Sequence, residues 1–267
     1  MNLISKAKTL WRYTHAAWAL GDDLRSRLVL ATLLPRLKFP VIRVDSERVH
    51  KVQIRVASLR RVLYLRTQDI FLVYEVLWGN PYVHPEMLQN PPHCILDLGA
   101  HIGLATLRFK ASFPQAIIHC YEPDPENFKL LEKNTIGLPG VVLHQEAVGN
   151  RRTEAVLYIP NNRHSASSLR RPSDDGLVRE LVCQVKPLDD ILNEIRQPVD
   201  LVKFDIEGME YEVFSASALV HQVRWIVGEM KAGPSEIEQF ITLFPHYESQ
   251  IHWQAPKIAY VYLKQRQ

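Results

Sequence analysis

The chain has 267 residues, 46% of them hydrophobic and 23% charged, with 11 glycines and 17 prolines. A chain of that length buries roughly 70–75% of its unfolded surface, a full core without staples, and this composition excludes collagen, a disordered tail and a disulfide-rich scaffold. The formal charge of +3 conceals an asymmetry, because residues 1–66 hold 14 of the 32 basic and 4 of the 29 acidic residues, a local +10 against −7 elsewhere.

Residues 1–35 suit helices, broken near Gly21-Asp22-Asp23 and ended by Pro35. Lys6, Lys8, Arg12 and His15 interrupt the apolar residues of the first twenty, which argues against a secretory leader. The longest apolar stretch nearby, Leu28–Leu34, falls short of the ~20 residues that span a bilayer. Cys94, Cys120 and Cys183 are odd in number and lack C-x-x-C spacing, so they suggest neither a disulfide framework nor a zinc site. The expectation is a cytoplasmic protein with buried thiols, no transmembrane segment and no metal.

From Val41 to Arg66 apolar and polar residues alternate, as in antiparallel strands with one wet face. Asp69–Trp78 is helical in pattern and closed by Gly79-Asn80-Pro81. After the spacer Asn90-Pro91-Pro92 the rhythm changes to strand, helix, strand. Cys94–Leu98, Ala116–Tyr121, Val141–His144, Leu201–Phe204 and Arg224–Gly228 are apolar runs mostly separated by helical segments, which means a parallel sheet covered on both faces. Ala155–Ile159 and Leu181–Val185 flank a polar loop, residues 161–176, and suggest a hairpin inserted beside the sheet's ligand edge. The fold class is α/β, a Rossmann-like domain over residues 91–267 with a basic helix-and-hairpin attachment over residues 1–90.

Asp97-Leu98-Gly99-Ala100-His101-Ile102-Gly103 closes the first parallel strand, where open α/β sheets bind ligands. Glu122 ends the next strand, 19 residues after Gly103, and suits a carboxylate that accepts from ribose hydroxyls. The ligand therefore contains a nucleoside. A dinucleotide loop wants glycine where His101 stands, and its pyrophosphate would be repelled by Asp97. S-adenosylmethionine fits better, because it carries ammonium and sulfonium charges and no phosphate. Its carboxylate suits the amides that begin the following helix.

These segments resemble the FkbM-type methyltransferases, a branch of the class I S-adenosylmethionine-dependent family. The resemblance is carried by Asp97–Gly103, by Tyr121–Phe128 with Leu131 and Asn134, by Ala147-Val148-Gly149, and by Leu188-Asp189-Asp190. Its most specific part is Asp200-Leu201-Val202-Lys203-Phe204-Asp205-Ile206-Glu207-Gly208-Met209-Glu210. It runs over roughly residues 60–230, while residues 1–55 match nothing nameable. It implies a mostly parallel seven-stranded sheet and methyl transfer to a hydroxyl oxygen, with sugars and natural-product scaffolds the usual acceptors. By position, Asp97, Gly99, Ala100, His101 and Gly103 would hold the methionine end of the cofactor, and Glu122 the ribose. Glu146, Ala147 and Val148 would lie along the adenine, with Asp205 and Glu207 next to the donor methyl. Asparagine is common in the family where this chain has His101.

An alcohol acceptor must lose its proton to a base within hydrogen-bond reach. Glu207, Asp205 and His101 are the candidates by location, with His164 of the inserted loop a fourth. Lys203 lies on the same strand face as Asp205, and a buried lysine must be paired, so it should meet a carboxylate. Asp189-Asp190 starts a helix, where acids complement the dipole, and needs no metal to explain it. Asn90-Pro91-Pro92-His93 precedes the first parallel strand and lacks the aromatic that stacks a flipped base. Trp78 and Tyr82 suit either an acceptor roof or the core.

The expected protein is thus an S-adenosylmethionine-dependent O-methyltransferase acting on a small-molecule or glycan acceptor, for which an anionic group would suit the basic segment. A nucleic-acid-modifying methyltransferase and a non-catalytic cofactor-binding module stay open as alternatives. Peripheral membrane contact stays open too, and the oligomeric state is not legible.

Overall fold

The computed structural model describes residues 3–38, 45–160, 166–171 and 178–266. Two helices, α1 (Leu3–Leu20) and α2 (Leu24–Lys38), open the chain. They break at the expected Gly21-Asp22-Asp23, where Asp23 caps α2 by accepting the Ser26 amide at 2.7 Å. Pro35 does not end α2, which runs three residues further to Lys38. A proline removes one amide donor there but does not by itself forbid a last turn.

The alternating segment forms the antiparallel hairpin β1 (Val49–Val56) and β2 (Leu59–Arg66). Val52, Ile54 and Val56 are buried while Lys51, Gln53 and Arg55 face water, so the period of two is a core face and a wet face. The expected helical stretch before Gly79 is composite: a 3-10 turn at Thr67–Asp69, α3 (Ile70–Leu72), and a π-turn over Val73–Trp78. In that π-turn the Gly79 amide reaches back five residues to the Tyr74 carbonyl at 3.0 Å.

The second half alternates β3 (Cys94–Leu98), α4 (Leu104–Ser112), β4 (Ile117–Tyr121), α5 (Pro125–Thr135) and β5 (Val141–His144). After β6 (Ala147–Gly149), β7 (Thr153–Pro160), β8 (Val178–Pro187) and α6 (Leu188–Glu194) come β9 (Leu201–Phe204), α7 (Glu210–Ser215) and β10 (Trp225–Met230). The chain closes with α8 (Pro234–Thr242), β11 (Tyr247–Ala255) and β12 (Ile258–Gln265). Seven strands make the main sheet in the order β5-β4-β3-β9-β10-β12-β11. Only β12 runs against its neighbours, β10 and β11. This is the doubly wound arrangement, and its crossover reverses between β3 and β9. Every residue of those two central strands is buried, which is why their sequences are unbroken apolar runs apart from Asp97 and Lys203.

The inserted hairpin, β7 and β8, is joined by β6 parallel to β8, so it is a small three-stranded sheet. One apolar cluster unites Leu20, Ile54 and Leu63 of the attachment with Ile102, Phe109 and Leu131. The opposite face of the sheet packs Leu96, Phe204, Phe214 and Phe240. All three cysteines are buried and free. Among the described residues no helix is long and apolar enough to cross a membrane.

Part of the basic excess is structural. Arg60 lies 3.6 Å from Asp22. Arg66 is buried between Glu47 and Asp69.

Candidate active site

The carboxyl ends of β3, β4, β9 and β10 meet a cavity of about 260 Å³. Gly99, Ala100 and His101 form its lip after β3, and Glu122 enters it after β4. Glu146, Ala147 and Val148 line one end, with Asp205, Glu207 and Glu229 at the other. Asp97 and Gly103 are not in the lining. Asp97 lies behind the wall, 3.0 Å from the Lys203 ammonium and accepting the Thr106 hydroxyl at 2.7 Å. Lys203 in turn donates to the Gly99 carbonyl at 2.8 Å, so Asp97 acts on the lip through this lysine. Gly103 precedes α4 at φ 89°, and a Cβ there would meet Leu131 at 2.8 Å. It brings α4 close to α5.

The lip is tightly specified. Gly99 sits at φ 75°, and any side chain there would drive into the Asp205 carbonyl. His101 and Glu207, both on the wall, hold left-handed backbones at φ 51° and φ 52°. Strain of this kind collects at functional sites. The His101 amide donates to Glu122 at 2.8 Å, while Asp124 and Asn127 donate to its other oxygen at 3.0 and 3.2 Å. Burial pushes the Glu122 carboxyl up to about 7 against those three donors. Asn127 also accepts from Arg66 at 2.9 Å, which ties the basic attachment to this end of the cavity.

At the other end Lys231 pairs with Glu207 and lies 3.9 Å from Glu229. Burial, then the neighbouring Asp205, hold both glutamates above the ordinary carboxylate range. The Ser168 hydroxyl braces the Glu207 carbonyl at 2.7 Å. The Tyr260 hydroxyl donates to Glu75 at 2.6 Å, and both line the cavity. Glu75, Glu229 and Lys231 were not singled out from the sequence. Glu229 had a usable signal, because it ends a parallel strand at the edge where ligands bind.

His101 lies on the lip with its Nε2 3.6 Å from Asp69. His164 lies outside the described residues. Lys203 meets the expected carboxylate, and Tyr82 lies beneath its ammonium at 5.3 Å. Trp78 is outside this cavity and 42% exposed. Asp189 accepts the Ala218 and Leu219 amides, each at 3.1 Å, a structural use. Among the described residues no cluster of His, Cys, Asp and Glu is placed to hold a metal.

The lining suits a nucleoside bearing a cationic chain. Glu122 offers a buried acceptor, with Ala147, Val148 and Leu157 as an apolar slot beside it. Leu104 and Ala105 bring the first turn of α4 to the cavity, where helix amides lack intrahelical partners. The sequence profile of the methyltransferase FkbM domain matches residues 97–254, more than half of the chain. The chain belongs to the FkbM methyltransferase family. Its fold is that of the S-adenosylmethionine-dependent enzymes, and the cofactor is S-adenosylmethionine.

The chain is similar to two curated methyltransferases and to one solved structure. Methyltransferase 1 of Beauveria bassiana is 28% identical over 139 residues, which cover 45% of this chain and 56% of that protein. The chain thus spans little more than half the length of that relative. The 2-O-methyltransferase NoeI of Sinorhizobium fredii is 25% identical over 182 residues, 61% of this chain and 75% of that one. Aeropyrum pernix fibrillarin, crystallised with natively bound S-adenosylmethionine, is 12% identical with a TM-score of 0.46, over 84% of this chain and 85% of that one.

Proposed function

We propose that the protein is an S-adenosylmethionine-dependent O-methyltransferase that methylates a hydroxyl of a sugar, glycoconjugate or small natural product. The observation that carries this reading is one cavity that joins Glu122 to the acid cluster of Asp205, Glu207 and Glu229. The name of the relative NoeI, a 2-O-methyltransferase, supports oxygen as the acceptor atom.

When bound, S-adenosylmethionine supplies an electrophilic methyl, whose bond to sulfur breaks as the acceptor oxygen bonds to carbon, the electron pair staying on sulfur. Alignment is much of what the protein contributes. Gly99, His101 and Glu122 hold one end of the reaction line, and the strained Glu207 backbone aims a carboxylate at the other. Glu207 is the residue we assign to take the acceptor proton, with Lys231 holding it in place. Asp205 shares the site and raises the proton affinity of Glu207.

Glu122→Ala is expected to weaken donor binding about 10- to 100-fold, the loss of hydrogen bonds to a charged acceptor. Isothermal titration with S-adenosylmethionine reads it, and unchanged affinity would remove Glu122 from the ribose site. Because its carboxyl is raised to about 7, the accepting, ionised form grows as pH rises. Donor affinity is therefore expected to increase between about pH 6 and pH 8, and to lose that dependence in the variant.

The reaction class is tested by incubating the protein with methyl-labelled S-adenosylmethionine and cell extracts. Label in a hydroxyl-bearing glycan or small molecule is expected. Label in nucleic acid, or none in any fraction, would overturn the reading.

A further inference from the structure

A second cavity, of about 560 Å³, opens between α1, the π-turn and the β11–β12 hairpin. It shares Glu75 and Tyr260 with the first cavity, and those two are hydrogen-bonded to each other at 2.6 Å. This hydrogen-bonded pair, which lines both cavities, stands where the two meet. The π-turn lines both. Glu75 and Val76 face the first cavity, while Tyr74 and Trp78 reach the second. Such turns recur at functional sites because the extra residue redirects side chains that a regular helix would place elsewhere.

The chemistry of the second cavity is distinctive. Phe71 and Trp78 keep 37% and 42% of their surface exposed, and Tyr13 and Tyr262 add two more rings to its walls. The same walls carry Arg12, His252 and Gln254, together with Asn80, whose side-chain oxygen accepts from Arg108 at 2.8 Å. Flat apolar faces accompanied by amide, imidazole and guanidinium groups match a ligand with apolar ring faces and a hydroxylated rim. A pyranose has that surface: axial C–H bonds on its faces and hydroxyls on its edge. A lipid tail would leave the polar groups unmatched, and a nucleic acid would meet Glu75 in the wall.

We propose that this second cavity is the acceptor subsite and that it takes a carbohydrate, one ring stacked on Trp78. The assignment rests on the O-methyltransferase reading and deepens it. The sugar's reacting hydroxyl meets the acid cluster by replacing the contact between Tyr260 and Glu75. The basic attachment, which matches no donor-binding segment, thereby has a use, since Arg12 and Tyr13 of α1 come from it.

The test titrates cellotetraose, chitotetraose and maltotetraose into the full chain, with S-adenosylhomocysteine titrated into the same preparations. At least one tetrasaccharide should bind, and Trp78→Ala should weaken it about tenfold or more, the loss of a stacking face. S-adenosylhomocysteine affinity should stay as it was, which also shows that the variant is folded. Gln254→Ala, on the exposed rim, supplies a second variant expected to weaken sugar binding. Binding of none of the three sugars, or equal binding by the wild type and both variants, would overturn the subsite. If the sugars bind as expected but S-adenosylhomocysteine does not, the methyl-donor reading fails while the carbohydrate subsite stands.

Discussion

Replacing Glu207 by glutamine is expected to slow methyl transfer about 10²- to 10⁴-fold, the usual contribution of a positioned general base. Donor affinity should change little, because the ribose and methionine contacts are those we assign to the β3 and β4 ends of the cavity. The pH profile carries a second, independent signature. Burial and Asp205 hold the Glu207 carboxyl above the ordinary carboxylate range. A base works only when deprotonated, so a raised proton affinity moves the acid limb of the rate profile toward neutral and alkaline pH. The wild-type rate should therefore rise with pH well above the ordinary carboxylate value of about 4.3, and Glu207→Gln should flatten that rise. A variant that turns over within about threefold of wild type would remove Glu207 as the base. If Glu229→Gln showed the large loss instead, the proton would go to Glu229, which shares Lys231 with it. Single-turnover measurements with saturating donor separate these outcomes from defects in binding.

The parts of this site that sequence made legible are the parts packed into contiguous words at strand ends. Gly99-Ala100-His101, Glu122 and Asp205–Glu207 each follow a buried strand, and each lines the cavity. Lys203 was legible for a different reason: an ammonium inside an apolar strand leaves no choice but a carboxylate partner. Asp97 was legible as important but not in its direction. It pairs in register with Lys203 across β3 and β9, so both side chains leave the same face of the sheet, where Asp97 meets Lys203 and Thr106 of α4 behind the cavity wall.

The missing acids have a physical explanation too. Glu75 belongs to a π-turn, and one extra residue in a helical turn shifts which side chains share a face, so the 3.6-residue period misplaces it. The edge strand β11 escaped because most of its residues are exposed, leaving no alternation to read. Three residues of β6 are too few to show a period at all. The charge asymmetry was visible, yet its meaning was not. Arg66 is buried and bonded to Asn127, which donates to Glu122, so part of the +10 belongs to the frame of the first cavity.

Lys203→Met is expected to destabilise the protein by about 3–5 kcal/mol, because it leaves the Asp97 carboxylate buried with no counter-charge. Lys203 is 2% exposed and Asp97 is fully enclosed, 3.0 Å apart in the middle of the sheet. Burial opposes the lysine's charge, but Asp97 and then Asp205 outweigh it, and its proton is held more firmly than usual. The pair need not add net stability over an apolar pair of the same shape. What distinguishes the ion pair is the cost of breaking it on one side only. The double variant Lys203→Met with Asp97→Asn should therefore recover most of the loss, since no charge is then left in the core. Urea denaturation of the wild type, both single variants and the double variant measures this coupling. A loss below about 1 kcal/mol in Lys203→Met, or a double variant no better than the single one, would show that the pair is not coupled. The same variants also separate the frame from the ligand. Lys203 is a donor to the Gly99 carbonyl, so both variants that lack it should bind S-adenosylmethionine more weakly, including the one whose stability returns. The restored fold with unrestored affinity would assign the pair its second task, which is to hold the glycine lip where the cofactor rests.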